Sequence, residues 1–535
     1  MKWFEPMKKA KRTVCLCIAM MLALGMSAWA APAEETARNR YEMEIVLNET
    51  DRETPYLAMT VKATVINDSG DEWEEICFRD YMDSVYEWHA WTDMPVDEDG
   101  NPVDGAAEAE FSSGITSAAQ GEKELNVRRV ETHDPIACVT DESVIYVELD
   151  EPLPPGEAVT LTLTYEADIM EGQARCAYTS MIWDEAGART YELAQFYPML
   201  AVYEDGEWNE SPYFTEGECF YTRCADYEIT LNAPDKYQVI ASGEETKRTS
   251  TDGMTVWRIG AENMRDVTII VSNEYEVKTG EVCGVTVNSW HASNEKAQDG
   301  SDHEQQGAIQ LQAAMDSVEA FTAAYGEYPY GELDVVESNY EFGGMEAPGL
   351  IRISQMYSWF IGEDDSEADR TEYREKCAGT VAHEVAHEWF YGVVGNDQYR
   401  EAWLDESFAA FSEQVYWRHI GRIDGEIAAA MKPFMEHMPG SGDVTVDRTY
   451  GELNNERCFD YVPAVYQRGA GFLYQLEQSM GQEKFYEFMR EYYAAFSMKE
   501  AHTEDFLNAL APYIEENAEA QALVKKYLSR AASMF

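Results

Sequence analysis

Positive charge is what this 535-residue sequence has least of. Forty lysines and arginines stand against one hundred aspartates and glutamates, a formal charge of -60 at pH 7. A surface this acidic repels nucleic acid and anionic lipid, which argues against both as partners. It favours cationic peptides, or serves solubility in a salty or acidic medium. Long apolar runs are also lacking: no internal stretch approaches the roughly 20 residues needed to cross a bilayer. Neither a repeat nor a long low-complexity segment interrupts the chain. An apolar fraction of 45% with 12% aromatics is that of a globular protein, and the length implies two or three domains.

The few basic residues are unevenly placed. Lys8, Lys9, Lys11 and Arg12 precede the apolar run Val14 to Met26, and Ala28-Trp29-Ala30 follows with a small-residue cleavage pattern. Residues 1–30 therefore read as an export signal, with Met7 an equally good start. The apolar run is too short for a stable anchor, so the expected location is extracellular or at the cell surface, with no membrane insertion once the signal is removed. Eight cysteines would remain: Cys77, Cys138, Cys176, Cys219, Cys224, Cys283, Cys377 and Cys458. Their number permits disulfides, but their scatter lacks the close pairs of a structural zinc site. Cys219 and Cys224 lie in a strand-like run that would put them on opposite faces, which disfavours a bond between them.

Periodicity divides the mature chain. Met59 to Val65 and Val159 to Tyr165 alternate with period two, and turn signals such as Asp68-Ser69-Gly70 and Pro154-Pro155-Gly156 punctuate them. Residues 31–291 are thus expected to form an N-terminal antiparallel β domain with one solvated face. A polar stretch, 292–306, reads as a linker. Helical spacing begins at Gly307, short strands follow at Leu333–Val336 and Leu350–Ile353, and almost everything after Thr371 is helical. Residues 307–535 are expected to be an α+β, mostly helical domain.

Within that domain, Cys377 to Val394 reads as one helix containing His383-Glu384-Val385-Ala386-His387. Histidines four apart project from one helix face and can take two corners of a zinc tetrahedron. Glu384 can reach a metal-bound water without being a ligand. The next helix, about Ala402 to Ile420, opens with WLDESFAAF and places Glu406 in its first turn. In an antiparallel helical hairpin this carboxylate returns to the histidines. The alternative, a solvated acid at a helix start, leaves the spacing unexplained. Two His and one Glu leave a coordination position open for water, the arrangement of a catalytic zinc. Zinc would polarise a carbonyl, and Glu384 would carry the proton to the leaving amine. A further donor is then needed for the oxyanion.

HEVAH, followed after eighteen residues by Glu406 in WLDES, resembles the aminopeptidase N and leukotriene-hydrolase type of gluzincin metallopeptidase. FGGMEAPG at Phe342 to Gly349 looks like that family's Gly-x-Met-Glu-Asn exopeptidase motif. VYQRGA at Val465 to Ala470 is similar to its tyrosine-bearing segment, and AQFYPMLAVYEDGEW and ADYEITLNAP resemble its β domain. The resemblance covers most of the mature chain. It implies a saddle-like β domain, a thermolysin-like zinc peptidase domain, and one Zn2+ held by His383, His387 and Glu406. It further implies Glu384 as base and Tyr466 as oxyanion donor, with Tyr461 the weaker candidate. Glu346 would anchor a substrate α-ammonium, Gln195 would add a second amine contact, and Gly343, Gly344 and Met345 would align the peptide. The implied activity is removal of N-terminal residues from extracellular peptides. A zinc endopeptidase with an open cleft and a catalytically silent peptide-binding protein are the alternatives. The sequence departs from the family at Ala347, where asparagine is usual, and at Asp405 and Ser407, which replace Asn and Gly.

Overall fold

The alternating runs fold as expected. In the strands Tyr56–Ile66 and Ala158–Asp168, every second residue is buried. Their antiparallel register sets Val61 opposite Leu163 and Met59 opposite Tyr165, so the two apolar stripes share one face. Each fully buried Leu or Val there contributes roughly 1.5–3 kcal/mol. The computed structural model describes residues 38–50, 52, 54–92, 111–133, 140–172, 175–180, 189–213, 217, 219–297, 300–340, 343–361, 366–436, 444–455, 458–459 and 461–533. The expected export signal lies outside the described residues, as do Cys138 and the side chain of Cys458.

The two strands belong to an eight-stranded sheet that also contains Asn39–Asn48, Ala225–Pro234 and Met254–Met264. The sheet is not wholly antiparallel. Asn39–Asn48 runs parallel to Ala225–Pro234, from Asn39 opposite Ala225 to Val46 opposite Asn232, a pairing of distant segments that periodicity cannot disclose. Cys219 and Cys224 are buried in an irregular approach to Ala225–Pro234 and not in a strand. Cys224 is a free thiol, so no bond joins them.

The boundary expected at 291/292 falls inside a sheet. Strands Tyr275–Val282 and Val285–Ala292 form a hairpin through Cys283 and Gly284, both at positive φ. Val285–Ala292 then pairs parallel with Glu332–Ser338, which pairs parallel with Leu350–Ser354, and Gly344–Met345 closes the edge. These two strands therefore share a sheet with the segment that carries the exopeptidase-like motif. Nor is 292–306 a plain linker: Asn294–Ala297 is helical, and the helix His303–Ala324 starts within it, capped by the Asp302 side chain. A strand's alternation says that it is half-buried, not which sheet it joins.

The C-terminal helices are Gln482–Phe496, Thr503–Ile514 and Ala518–Tyr527. The last two are separated where Asn517 caps Ala518–Tyr527 by accepting from Ala520 N. At the start of Thr503–Ile514, His502 Nδ1 lies 2.7 Å from Glu401 Oε2, while Glu401 Oε1 accepts Thr503 N at 2.9 Å and also Arg530. The hydrogen bond to Glu401, opposed by burial, raises the imidazole to about 9. Glu401 is shifted down: burial opposes ionisation, but His502, Arg530 and Thr503 outweigh it. A histidine raised above its unfolded value near 6.5 stabilises the fold below that pH, and the contribution is lost as pH rises through about 9. Thermal melts between these limits are expected to show a falling Tm that flattens in His502→Gln. An unchanged slope in that variant would assign the pH dependence elsewhere.

Candidate metal centre and cleft

The helix bearing the two histidines spans Glu367–His387. It begins ten residues before the expected Cys377. The Ser366 side chain accepts from Asp369 N, and Glu367 and Asp369 occupy the first turn, where the helix dipole favours acids. This polar start carries no apolar period, so hydrophobic spacing missed it. The helix also ends at His387 rather than Val394. Glu388 turns its carboxylate onto Gly349 N at 3.0 and 3.1 Å and accepts from Tyr328 at 3.0 Å. Gly392 N closes onto His387 O at 2.8 Å, and Tyr391 adopts φ 125°, a strained value for a bulky residue.

His383 Nδ1 lies 3.1 Å from Glu413 Oε1, and His387 Nδ1 lies 3.2 Å from Phe390 O. Both partners only accept, so the Nδ1 atoms carry the hydrogens and the Nε2 lone pairs point the other way. Both Nε2 atoms converge on Glu406 Oε2, at 3.2 and 3.4 Å. The three donors lie within 4.8 Å of one another, and two imidazole nitrogens with one carboxylate oxygen suit zinc. Charge balance agrees. Burial works against a charged His383, yet its bonds to Glu406 and Glu413 lift it to about 10. His387 is raised well above its ordinary value against the same burial, chiefly by Glu346 and Glu406. Both shifts come from the carboxylates that surround the two imidazoles.

Glu406 comes from the helix Trp403–His419 and is 2% exposed, which rules out a solvated acid. Trp403, Phe408, Ala409 and Phe411 of the same helix are buried. The two helices run antiparallel: His383 meets Glu413, and a Cβ on Gly379 would sit 3.4 Å from Trp417. Asp405 is buried beneath them, accepts from Gln398 Nε2 at 3.0 Å and from Glu406 N at 2.6 Å, and is pushed up to about 7 by burial and then by the charge of Glu406.

Tyr466 arrives on a π-helical turn, Pro463–Arg468, a rare geometry often found at functional sites. Its hydroxyl donates to Glu406 Oε1, and its ring lies parallel to His383 with centroids 5.9 Å apart. Tyr461 is buried against Tyr450 and Gly217 and is not among the cleft-lining residues. Glu384 lines the cleft against Gly344, where a Cβ would lie 2.5 Å from Glu384 Oε1, so only glycine fits this approach. Carboxylate oxygens of Glu346 and Glu384 and a ring nitrogen of His387 fall within 4.8 Å of one another.

Gly343 and Met345 also line the cleft. The Gly343 carbonyl accepts Ser354 N, and the Met345 side chain is buried with its Sδ 2.8 Å from Arg175 Nη1. Gln195 is not among the lining residues. It is buried at φ 49° and donates Nε2 to Asp266 Oδ2 at 3.3 Å, and that same oxygen accepts from Tyr391. The cleft holds about 600 Å³ and runs from Glu346 and His387 to Glu372, Trp417 and Arg422. Sequence reasoning missed Glu413, although an acid seven residues beyond Glu406 lies on the same helix face. It also missed Arg265, whose buried guanidinium bonds Tyr391 O, Thr222 O and Glu500.

A His-Glu-x-x-His helix answered by a glutamate from the following antiparallel helix defines the gluzincin class of metallopeptidase domain. Residues 309–527 match the peptidase family M1 domain. A leucine aminopeptidase 2 from Emericella nidulans is 28% identical over 213 residues, 37% of this chain and 32% of that protein. Aminopeptidase M1-A of Oryza sativa subsp. japonica is 24% identical over 419 residues, 76% of this chain and 44% of that protein. The chain thus spans less than half the length of these curated relatives. Among solved structures, an M1 zinc metallopeptidase from Deinococcus radiodurans superposes with a TM-score of 0.60 at 18% identity, covering 91% of this chain and 93% of that one. At that identity the likeness concerns the fold.

Proposed function

We propose that this protein is a zinc-dependent aminopeptidase that removes N-terminal residues from extracellular peptides. The observation that carries the reading is Glu346, a buried carboxylate beside Glu384 and His387 in the cleft. A carboxylate there pairs with a free α-ammonium and sets the scissile bond one residue in. His383, His387 and Glu406 would hold the zinc, which supplies Lewis acidity and a water ionising near neutrality. Glu384 accepts the proton of the attacking water and hands it to the leaving amine. Tyr466 donates to the carbonyl oxygen as negative charge develops on it. The Gly344–Met345 edge offers backbone groups for the peptide to pair with. Names among the relatives support the reading, as does a mutant of the Deinococcus metallopeptidase solved with a Tyr-Ser-Ala substrate (TM-score 0.58, 18% identity, 92% of this chain and 93% of that one). Export rests on the basic, apolar and small-residue segments of residues 1–30.

The zinc-loaded protein is expected to cleave free peptides and to leave their N-acetylated forms intact. Glu346→Ala should raise KM on free-amine peptides by about 10- to 100-fold, with the metal retained. Equal cleavage of both forms would remove the amine anchor and favour an endopeptidase. Cleavage of neither would leave a silent binding protein. The same assay on cell-free medium tests export, since activity confined to cell extracts would sink it.

A further inference from the structure

Ser407 follows the third candidate ligand and stands where glycine is usual in the resembled family. Its side chain is fully buried, and its Oγ donates to Val465 O at 2.6 Å. Val465 precedes Tyr466 in the π-helical turn. The next helix, Gly469–Met480, opens with a residue whose lack of a side chain makes this bond possible. A Cβ on Gly469 would lie 1.8 Å from Ser407 Oγ and 2.5 Å from Ser407 Cβ.

Two neighbouring residues on one helix therefore grip two neighbouring residues on the other. Glu406 holds the hydroxyl end of Tyr466, and Ser407 holds the backbone at its base. We propose that Ser407 is a positioning residue for Tyr466, admitted by the bare Gly469. When the Tyr466 hydroxyl turns to a substrate oxygen, it gives up its bond to Glu406. The Ser407 bond to the backbone at its base stays. A wide π turn is open to rearrangement, so a fixed carbonyl next to the tyrosine sets where its ring can go. This inference rests on the reading of Tyr466 as oxyanion donor.

In the zinc-loaded full chain, Ser407→Ala is expected to lower kcat by about 5- to 20-fold with KM and zinc content nearly unchanged. The loss should vanish when Tyr466 is already phenylalanine. A loss of equal size in the Tyr466→Phe background would overturn the proposal. Gly469→Ala should depress both Tm and kcat, because its methyl pushes the hydroxyl off Val465 O. Adding Ser407→Gly to Gly469→Ala should restore Tm but not kcat, and a regained wild-type kcat would show that space, not the bond, matters. A crystal structure of Ser407→Ala reads the claim without turnover: the backbone at Val465 and Tyr466 should shift from its wild-type place, and an unmoved turn refutes the positioning role. Should the wild type cleave no peptide, the peptidase reading falls, while that structure still decides whether Ser407 places Tyr466.

Discussion

Glu384→Gln is expected to lower kcat for peptide cleavage by about 1,000-fold while the protein keeps its full complement of zinc. Glutamine matches the carboxylate in shape but cannot take a proton at neutral pH, and general acid–base catalysis contributes roughly 10²–10⁴-fold. The metal should survive because the converging donors are His383, His387 and Glu406, with Glu384 set against the Gly344 backbone. Metal analysis of the purified variant beside a rate on an aminoacyl fluorogenic substrate separates the two effects. Undiminished hydrolysis would remove Glu384 from the chemistry, and lost zinc would make it a ligand instead.

His387→Ala has the opposite signature. Zinc content should fall from one per chain to near zero, and activity should fall to that of chelator-treated wild type. The variant also leaves Glu406 buried with one imidazole where it had two. Removing one partner of a buried charged pair costs about 3–5 kcal/mol, so Tm should drop even when both proteins are compared without metal. A variant that retained stoichiometric zinc would show that the second donor is misassigned.

The metal donors were legible because their signal is local. Histidines four apart on a helix share a face whatever the rest of the chain does, and a short antiparallel return brings Glu406 back. Glu346 and Gly344 were legible through resemblance alone, since no spacing rule connects a sheet edge to a helix. What escaped lies in long-range pairing. Strand alternation at 275–292 could not say that these strands extend the catalytic sheet, and nothing in the parallel pairing of Asn39–Asn48 with Ala225–Pro234 is periodic. The helix end at His387 was missed for another reason: Trp389, Phe390 and Val393 continue an apolar pattern, but tertiary bonds to Glu388 and Tyr391 override it. Tyr466 lies in the cleft beside Glu406, and its π-helical turn has no sequence signature of its own.

Arg265 bears on how the molecule can be divided. It is supplied from beyond the 309–527 stretch that carries the family match, yet it holds the carbonyl of Tyr391, and Gly395 leaves room for its guanidinium. The same turn presents Phe390 O to His387. A fragment cut at the family boundary would lose this brace together with two strands of the catalytic sheet. Expressed alone, residues 309–527 are therefore expected to hold zinc more weakly than the full chain, and equal zinc content in the two would show that the brace is dispensable.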